Sequence, residues 1–224
     1  MNKLAKRLTW IAAGAAVGVA VAKLSKKRGA RSADPQGLRH SGTTVLETER
    51  LILRRFTLED AEPMYQNWAH DPEVTKYLTW PPHQDVDVSE EIIDSWVSQY
   101  EKGNYYNWAI ELKELGEPIG NIAVVQQNDR ARQAHTGYCL GRGWWHQGIM
   151  SEALAAVIDY LFSEGYLRID SRHNVANPHS GDVMKKCGMR YEATLRQSGW
   201  DNSGIHDEML YSILAEDYTG GDRP

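Results

Sequence analysis

A chain of 224 residues with 42% hydrophobic content can bury one sizeable core and carry an appendage. Its net charge of −5 is unevenly spread: nine of the 25 Lys and Arg and one of the 30 acids fall in residues 1–39, which leaves 16 bases against 29 acids in the remainder. A body this acidic argues against nucleic-acid binding and suits a cationic or amine-bearing partner. Two cysteines, Cys139 and Cys187, cannot form a disulfide framework and sit in no CxxC pair, and both read as buried, reduced packing residues. The eight histidines show neither HExxH nor Cys/His spacing, so no metal site is expected.

In chain order, the first segment is an arm. Fifteen uncharged residues, Leu8 to Ala22, lie between Lys3, Lys6 and Arg7 on one side and Lys23, Lys26, Lys27, Arg28 and Arg31 on the other. As a helix they reach about 22 Å, short of a ~30 Å hydrocarbon core, though flanking lysines can snorkel and Gly14 to Gly18 has GxxxG spacing. Three readings fit: a short membrane anchor or membrane-surface helix over 8–22, a signal peptide cleaved after Ala22, or a surface helix or disordered arm. Dense positive charge just after Ala22 opposes export. Ser32 to Thr44 reads as a polar linker. The resulting organisation is an arm and linker over 1–44, a domain over 45–218 and a tail over 219–224.

The domain opens with a strand at Leu51–Arg54. A helix capped by Thr57 runs to about Trp68, and Asp71-Pro72 starts a short one near Val74 to Leu78. Helical spacing of Ile92, Ile93, Trp96, Val97 and Tyr100 predicts a helix over Glu90 to Lys102 that ends at Gly103. Strand-like runs follow at Tyr106–Leu112, Pro118–Gln126 and Thr136–Leu140. The stretch Trp144 to Ala153, WWHQGIMSEA, then leads into a helix with Leu154, Val157, Ile158, Leu161 and Phe162 on one stripe, stopped by Gly165. A strand at Leu167–Ser171 precedes Asn177-Pro178, a natural N-cap and first helical position for a helix closed by Gly188. Tyr191–Trp200 and Ile205–Leu214 flank Asp201-Asn202-Ser203-Gly204 as a hairpin. The order gives a mixed α/β sheet with no internal repeat.

Two stretches carry the chemistry. A strand, tight turn and helix start at Trp144–Ala153 presents free backbone N–H groups and a positive dipole end to an anion. Trp144 and Trp145 themselves read as core packing. Asn177-Pro178-His179-Ser180 then starts the second helix. The pair resembles the acetyl-coenzyme A site of the GNAT superfamily of N-acetyltransferases, in particular its ribosomal-protein alanine acetyltransferase (RimJ/RimL-type) branch. The likeness runs from Leu46 to Leu214, through Thr48 to Arg54, Asp71 to Val74, Gly137 to Leu140, Lys186 to Met189, His206-Asp207 and Leu210 to Leu214. It implies the GNAT (acyl-CoA N-acyltransferase) fold, a mixed central sheet flanked by helices.

The resemblance further implies acetyl-CoA as co-substrate and a primary amine as acceptor, most readily a protein N-terminus. A small amine, or a catalytically inactive, membrane-tethered CoA-binding module, stands as the alternative. Backbone N–H groups of Gln147, Gly148, Ile149, Met150 and Ser151 would hold the pyrophosphate. In many relatives His146 is a glycine and position 150 is small. Two strands of the superfamily splay apart so that pantetheine pairs with the freed edge, and a backbone N–H between Tyr138 and Leu140 would bind the acetyl oxygen. Asn177 would cap its helix, contact pantetheine, or both. Ser180 would hydrogen-bond the leaving sulfur as general acid. Glu192 matches the branch's base, with a solvent-facing strand glutamate as the other reading; Tyr211 is the alternative proton handler, though its alternation with inward residues favours a structural role. His206 and Asp207 either shape the acceptor mouth or fix the hairpin. A donor made inside the cell implies a cytoplasmic protein, attached to the inner membrane face if the arm is an anchor.

Overall fold

The computed structural model describes residues 37–218. The expectations for residues 8–22 and for the tail lie outside them. No helix among the described residues is long and apolar enough to cross a membrane.

Eight strands form one sheet: β1 (Leu46–Glu47), β2 (Leu51–Arg54), β3 (Asn107–Leu112), β4 (Glu117–Asn128), β5 (Gln133–Leu140), β6 (Arg168–Asn174), β7 (Arg190–Asp201) and β8 (Gly204–Leu214), in the order β1-β2-β3-β4-β5-β6-β8-β7. Every pairing is antiparallel except β5 with β6. The long helix α4 (Ile149–Glu164) makes the crossover between these two parallel strands, as a βαβ unit requires. It buries Leu154, Val157, Ile158 and Leu161 against Leu51, Leu53, Ile122 and Ile169. Each side chain of that kind, removed from water, contributes roughly 1.5–3 kcal/mol. The helix ends where Gly165 turns left-handed at φ 104°, a conformation that L side chains resist.

The opposite face of β3 and β4 carries α1 (Ala61–Met64), α2 (Pro72–Thr75) and α3 (Val86–Val97) around Phe56, Met64, Trp68 and Ile93. The expected single helix from Thr57 is broken into a 3₁₀ turn, α1 and a π-helical turn over Tyr65–Ala69. Thr57 and Asp60 do form a reciprocal capping box. Helix α3 starts four residues before the expected Glu90 and ends at Val97, because Asp85 caps it by accepting the Val88 N–H. Both cysteines are buried and in no disulfide.

The segment 37–44 is no linker. Leu38 enters the core, Arg39 N–H donates to the Glu164 carbonyl, and the Ser41 N–H and hydroxyl both donate to the Glu164 carboxylate. Buried Thr43 accepts the Asn107 N–H, and the Trp108 indole donates to the Thr44 carbonyl.

Candidate active site

At the end of β5 the chain turns at Gly141, where a Cβ would sit 2.3 Å from the Asn67 carbonyl. A short 3₁₀ turn over Arg142–Trp144 follows. His146 (φ 61°) and Gly148 (φ 77°) are both left-handed, and α4 starts at once. Glu152 is the first residue to bond back, its N–H reaching the Gly148 carbonyl at 3.0 Å. The N–H groups of Ile149, Met150 and Ser151 therefore open onto a cleft of about 970 Å³. Met150 lines the cleft and packs in the core, so burial takes up the bulk of this large residue at the turn.

The turn is braced from behind. Glu152 accepts hydrogen bonds from Thr48 Oγ1 (2.6 Å), the Arg50 N–H (2.9 Å) and Arg50 Nε (2.7 Å). Arg50 Nη1 donates to the Gln147 carbonyl at 2.9 Å. Burial pushes the Glu152 carboxyl up, but these donors outweigh it and hold it below the usual carboxylate range. Gln147, whose backbone N–H was expected at the pyrophosphate, is not among the residues that line the cleft. Its carbonyl is held by Arg50 and its side-chain amide donates to the Gly143 carbonyl.

Strands β5 and β6 pair only over Gln133–Thr136 and Arg168–Ser171. Beyond that register β5 continues four residues alone on this edge. The Gly141 N–H donates to the Ile119 carbonyl of β4. Backbone groups alternate sides along a strand, so those of Tyr138 and Leu140 point to the opposite, open edge. The Leu140 carbonyl there accepts the Trp145 indole N–H at 2.7 Å. Trp145 is thus a partly exposed post at the cleft rather than core packing, while Trp144 packs against the core.

The far wall is α5 (Pro178–Lys186). Asn177 occupies its N-cap position, but its side chain makes no capping hydrogen bond, which leaves the carboxamide at the cleft. Ser180 lines the same cleft. Its hydroxyl donates to the Tyr138 phenol oxygen at 3.2 Å, and that phenol donates to the Ser180 carbonyl at 3.0 Å. His146 and His179 meet edge to face across the cleft, ring centroids 4.6 Å apart.

Several residues escaped the sequence reading. His173, buried on β6, donates from Nδ1 to the Asn174 carbonyl (2.8 Å) and stacks on Tyr211. Burial holds its pKa below the usual imidazole value. It seats α5 through Gly181, where a Cβ would lie 2.6 Å from His173 Nε2. The brace of Thr48, Arg50 and Glu152 was also missed, although its glutamate lies inside the stretch that signals the turn.

Glu192 does not join the site. It lies outside the cleft lining, forked by Arg168 Nη1 and Nη2 at 2.7 Å each and hydrogen-bonded by Ser212. The Arg168 guanidinium foremost, then Ser212, holds its carboxyl below the usual range against the opposing effect of burial. That makes it a poorer proton acceptor. His206 and Asp207 serve the hairpin: His206 packs against Gly199, and Asp207 accepts the Gln197 N–H. Tyr211 is a buried core residue. Among the described residues no three His, Cys, Asp or Glu side chains converge to hold a metal ion.

A crossover helix, the amide-lined turn at its start, a parted parallel pair and a second helix start face one cleft. The family model for the acetyltransferase (GNAT) domain matches residues 50–190. An N-acetyltransferase of Bacillus licheniformis called p20 is 34% identical over 177 residues, covering 79% of this chain and 99% of its own. The ribosomal-protein-serine acetyltransferase of Escherichia coli is 28% identical over 176 residues, covering 77% and 97%. Among solved structures, the microcin C7 self-immunity acetyltransferase MccE in complex with acetyl-CoA and AMP has a TM-score of 0.68 at 20% identity, over 75% of this chain and 93% of that one. The chain belongs to the GNAT family of N-acetyltransferases, whose acetyl donor is acetyl-CoA. The residues present fit that donor: unpaired helix-start amides for phosphates and a free strand edge for an amide-bearing arm.

Proposed function

We propose that this protein acetylates a protein or peptide N-terminal amine. The carrying observation is that the N–H groups of Ile149–Ser151, the open β5 edge and Ser180 share one cleft. Gly148 lets the turn come close to the pyrophosphate, and Asn177 offers its uncommitted carboxamide to the pantetheine arm. The backbone N–H of Tyr138 or Leu140 stabilises the developing oxyanion, an interaction that strengthens only as charge builds on the acetyl oxygen. Ser180 hydrogen-bonds the leaving sulfur.

With Glu192 engaged elsewhere, the amine needs no dedicated strong base. An α-amine titrates near 8, so at neutral pH a usable fraction is already neutral and water can carry off the proton. The protein-terminus reading is supported by relatives named as ribosomal-protein serine and alanine acetyltransferases and by the acidic body, which suits a positively charged chain end. Labelled acetyl-CoA incubated with peptides beginning Ala or Ser, and in parallel with spermidine and other small amines, tests it. Transfer to the peptide terminus is expected; turnover confined to small amines would replace the peptide acceptor with a small one.

A further inference from the structure

We propose that the phenol of Tyr138 is a positioning residue for Ser180, completing a two-link hydrogen-bond chain that ends on the leaving sulfur. The inference rests on the acetyl-transfer reading of the cleft, which gives a role only to the Tyr138 backbone.

Tyr138 stands on β5 just past the last residue paired with β6, and its ring spans the gap to α5. It touches Ser180 twice, hydroxyl to hydroxyl at 3.2 Å and phenol to carbonyl at 3.0 Å. This double contact fixes where the Ser180 hydroxyl sits without closing off its proton. Both O–H groups rotate about a single bond, so one set of heavy-atom positions serves two hydrogen arrangements. In the donor-free arrangement Ser180 donates to Tyr138. With a thioester sulfur in the cleft, Ser180 turns its hydrogen to the sulfur and Tyr138 turns its own onto Ser180 Oγ.

A chain of two hydroxyls polarises its terminal donor more than one hydroxyl alone, and more so away from bulk water. A lone serine hydroxyl is a weak donor, whereas one that itself receives a phenol hydrogen bond is stronger. No proton passes to or from the phenol. Burial raises the Tyr138 pKa well above the ordinary tyrosine value, against the smaller lowering effect of the Ser180 hydrogen bond, so the phenol keeps its hydrogen throughout. The neutral amine nitrogen bonds to the acetyl carbon and gives up its proton to water, the C–S bond breaks with its electron pair on sulfur, and the thiolate is held by the Ser180 hydrogen bond until solvent protonates it.

The test is a cycle of Tyr138→Phe, Ser180→Ala and the double variant, assayed with acetyl-CoA and a peptide beginning with Ser. Ser180→Ala should lower kcat on the order of 100-fold, and Tyr138→Phe about tenfold, the size of one lost hydrogen bond. The double variant should match Ser180→Ala, because a link that acts through Ser180 has nothing left to act on. A merely structural Tyr138 would multiply the two losses, and that result overturns the proposal, as does a Tyr138→Phe variant with wild-type kcat. A second readout needs no acceptor: the pH titration of the bound coenzyme A thiol, followed by thiolate absorbance. Tyr138→Phe should raise the apparent thiol pKa relative to wild type with coenzyme A affinity unchanged; coincident curves overturn the role. Wild-type protein that binds no coenzyme A would remove the acetyl-transfer reading and this role together, whereas an active wild type with an indifferent Tyr138 removes the role alone.

Discussion

The brace behind the pyrophosphate turn makes Glu152→Gln the most informative substitution. The glutamine keeps its shape and one acceptor oxygen, enough for Thr48 Oγ1 and the Arg50 N–H. It turns an NH₂ toward the guanidinium, so the bond from Arg50 Nε at 2.7 Å and the ion pair from Nη2 at 2.7 Å are lost. Hydrogen bonds to a charged group are each worth about 1.5–3 kcal/mol. Arg50 is 42% exposed while Glu152 is only 18% exposed, so the arginine recovers part of its solvation and the net loss should be about 2 kcal/mol. For a domain of this size that lowers Tm by about 4–8 °C. Freed from Arg50, the Gln147 carbonyl can swing toward the anion, so coenzyme A binding should weaken about tenfold by calorimetry.

The pH dependence carries the sign. The folded pKa of Glu152 is depressed, so its contribution is full above the unfolded value near 4.3 and is lost as pH falls through the folded value. The gap in Tm between wild type and Glu152→Gln should therefore be widest near neutrality and close on acidification. A Tm within 1 °C of wild type at pH 7, together with an unchanged Kd, would falsify the brace as the support of the turn.

Two further substitutions probe the walls of the cleft. Gly181→Ala puts a methyl 2.6 Å from His173 Nε2, and with that ring 6% exposed it cannot swing aside. A loss of about 1–3 kcal/mol in urea unfolding is expected, together with slower turnover as Ser180 shifts; an unchanged midpoint would mean that the ring yields. Glu192→Gln should leave kcat within about twofold and stability within about 1 kcal/mol, the usual range for an exposed ion pair, whereas a large drop in kcat at unchanged stability would return Glu192 to the chemistry.

The parts of the site that are local in sequence were legible from it. Gly148 and Gly165 bracket α4 because a strand-to-helix turn and a helix stop both need left-handed backbone, and the apolar stripe between them has helical period. The Asp201–Gly204 hairpin and the Ser180 helix start are equally short-range signals. Glu192 was misread because a β-bulge intervenes: Tyr191 pairs Tyr211 and Ala193 pairs Leu210, which leaves Glu192 as the extra residue. A bulge re-aims its side chain, here onto Arg168 and Ser212, and neither partner is near it in sequence. The segment 37–44 looks like linker by composition, since its polar groups announce no burial until Glu164, Tyr105 and Asn107 arrive to satisfy them. Helix α3 was placed late because the apolar repeat begins after the cap that starts it.

The parallel seam between β5 and β6 has a mechanical consequence. Four residue pairs, Gln133–Thr136 against Arg168–Ser171, are the whole of the strand pairing between the β1–β5 sheet and the β6–β8 sheet. Elsewhere those two parts of the sheet are joined through helices and through the hydrogen bonds that Asn202 of the β7–β8 turn makes to Thr75, Leu78 and Trp80. A donor laid in the gap would lace the two parts together where the backbone does not, so occupancy of the site and cohesion of the sheet become one equilibrium. The protein would then be tightest while charged with its acetyl donor and loosest once the spent carrier departs.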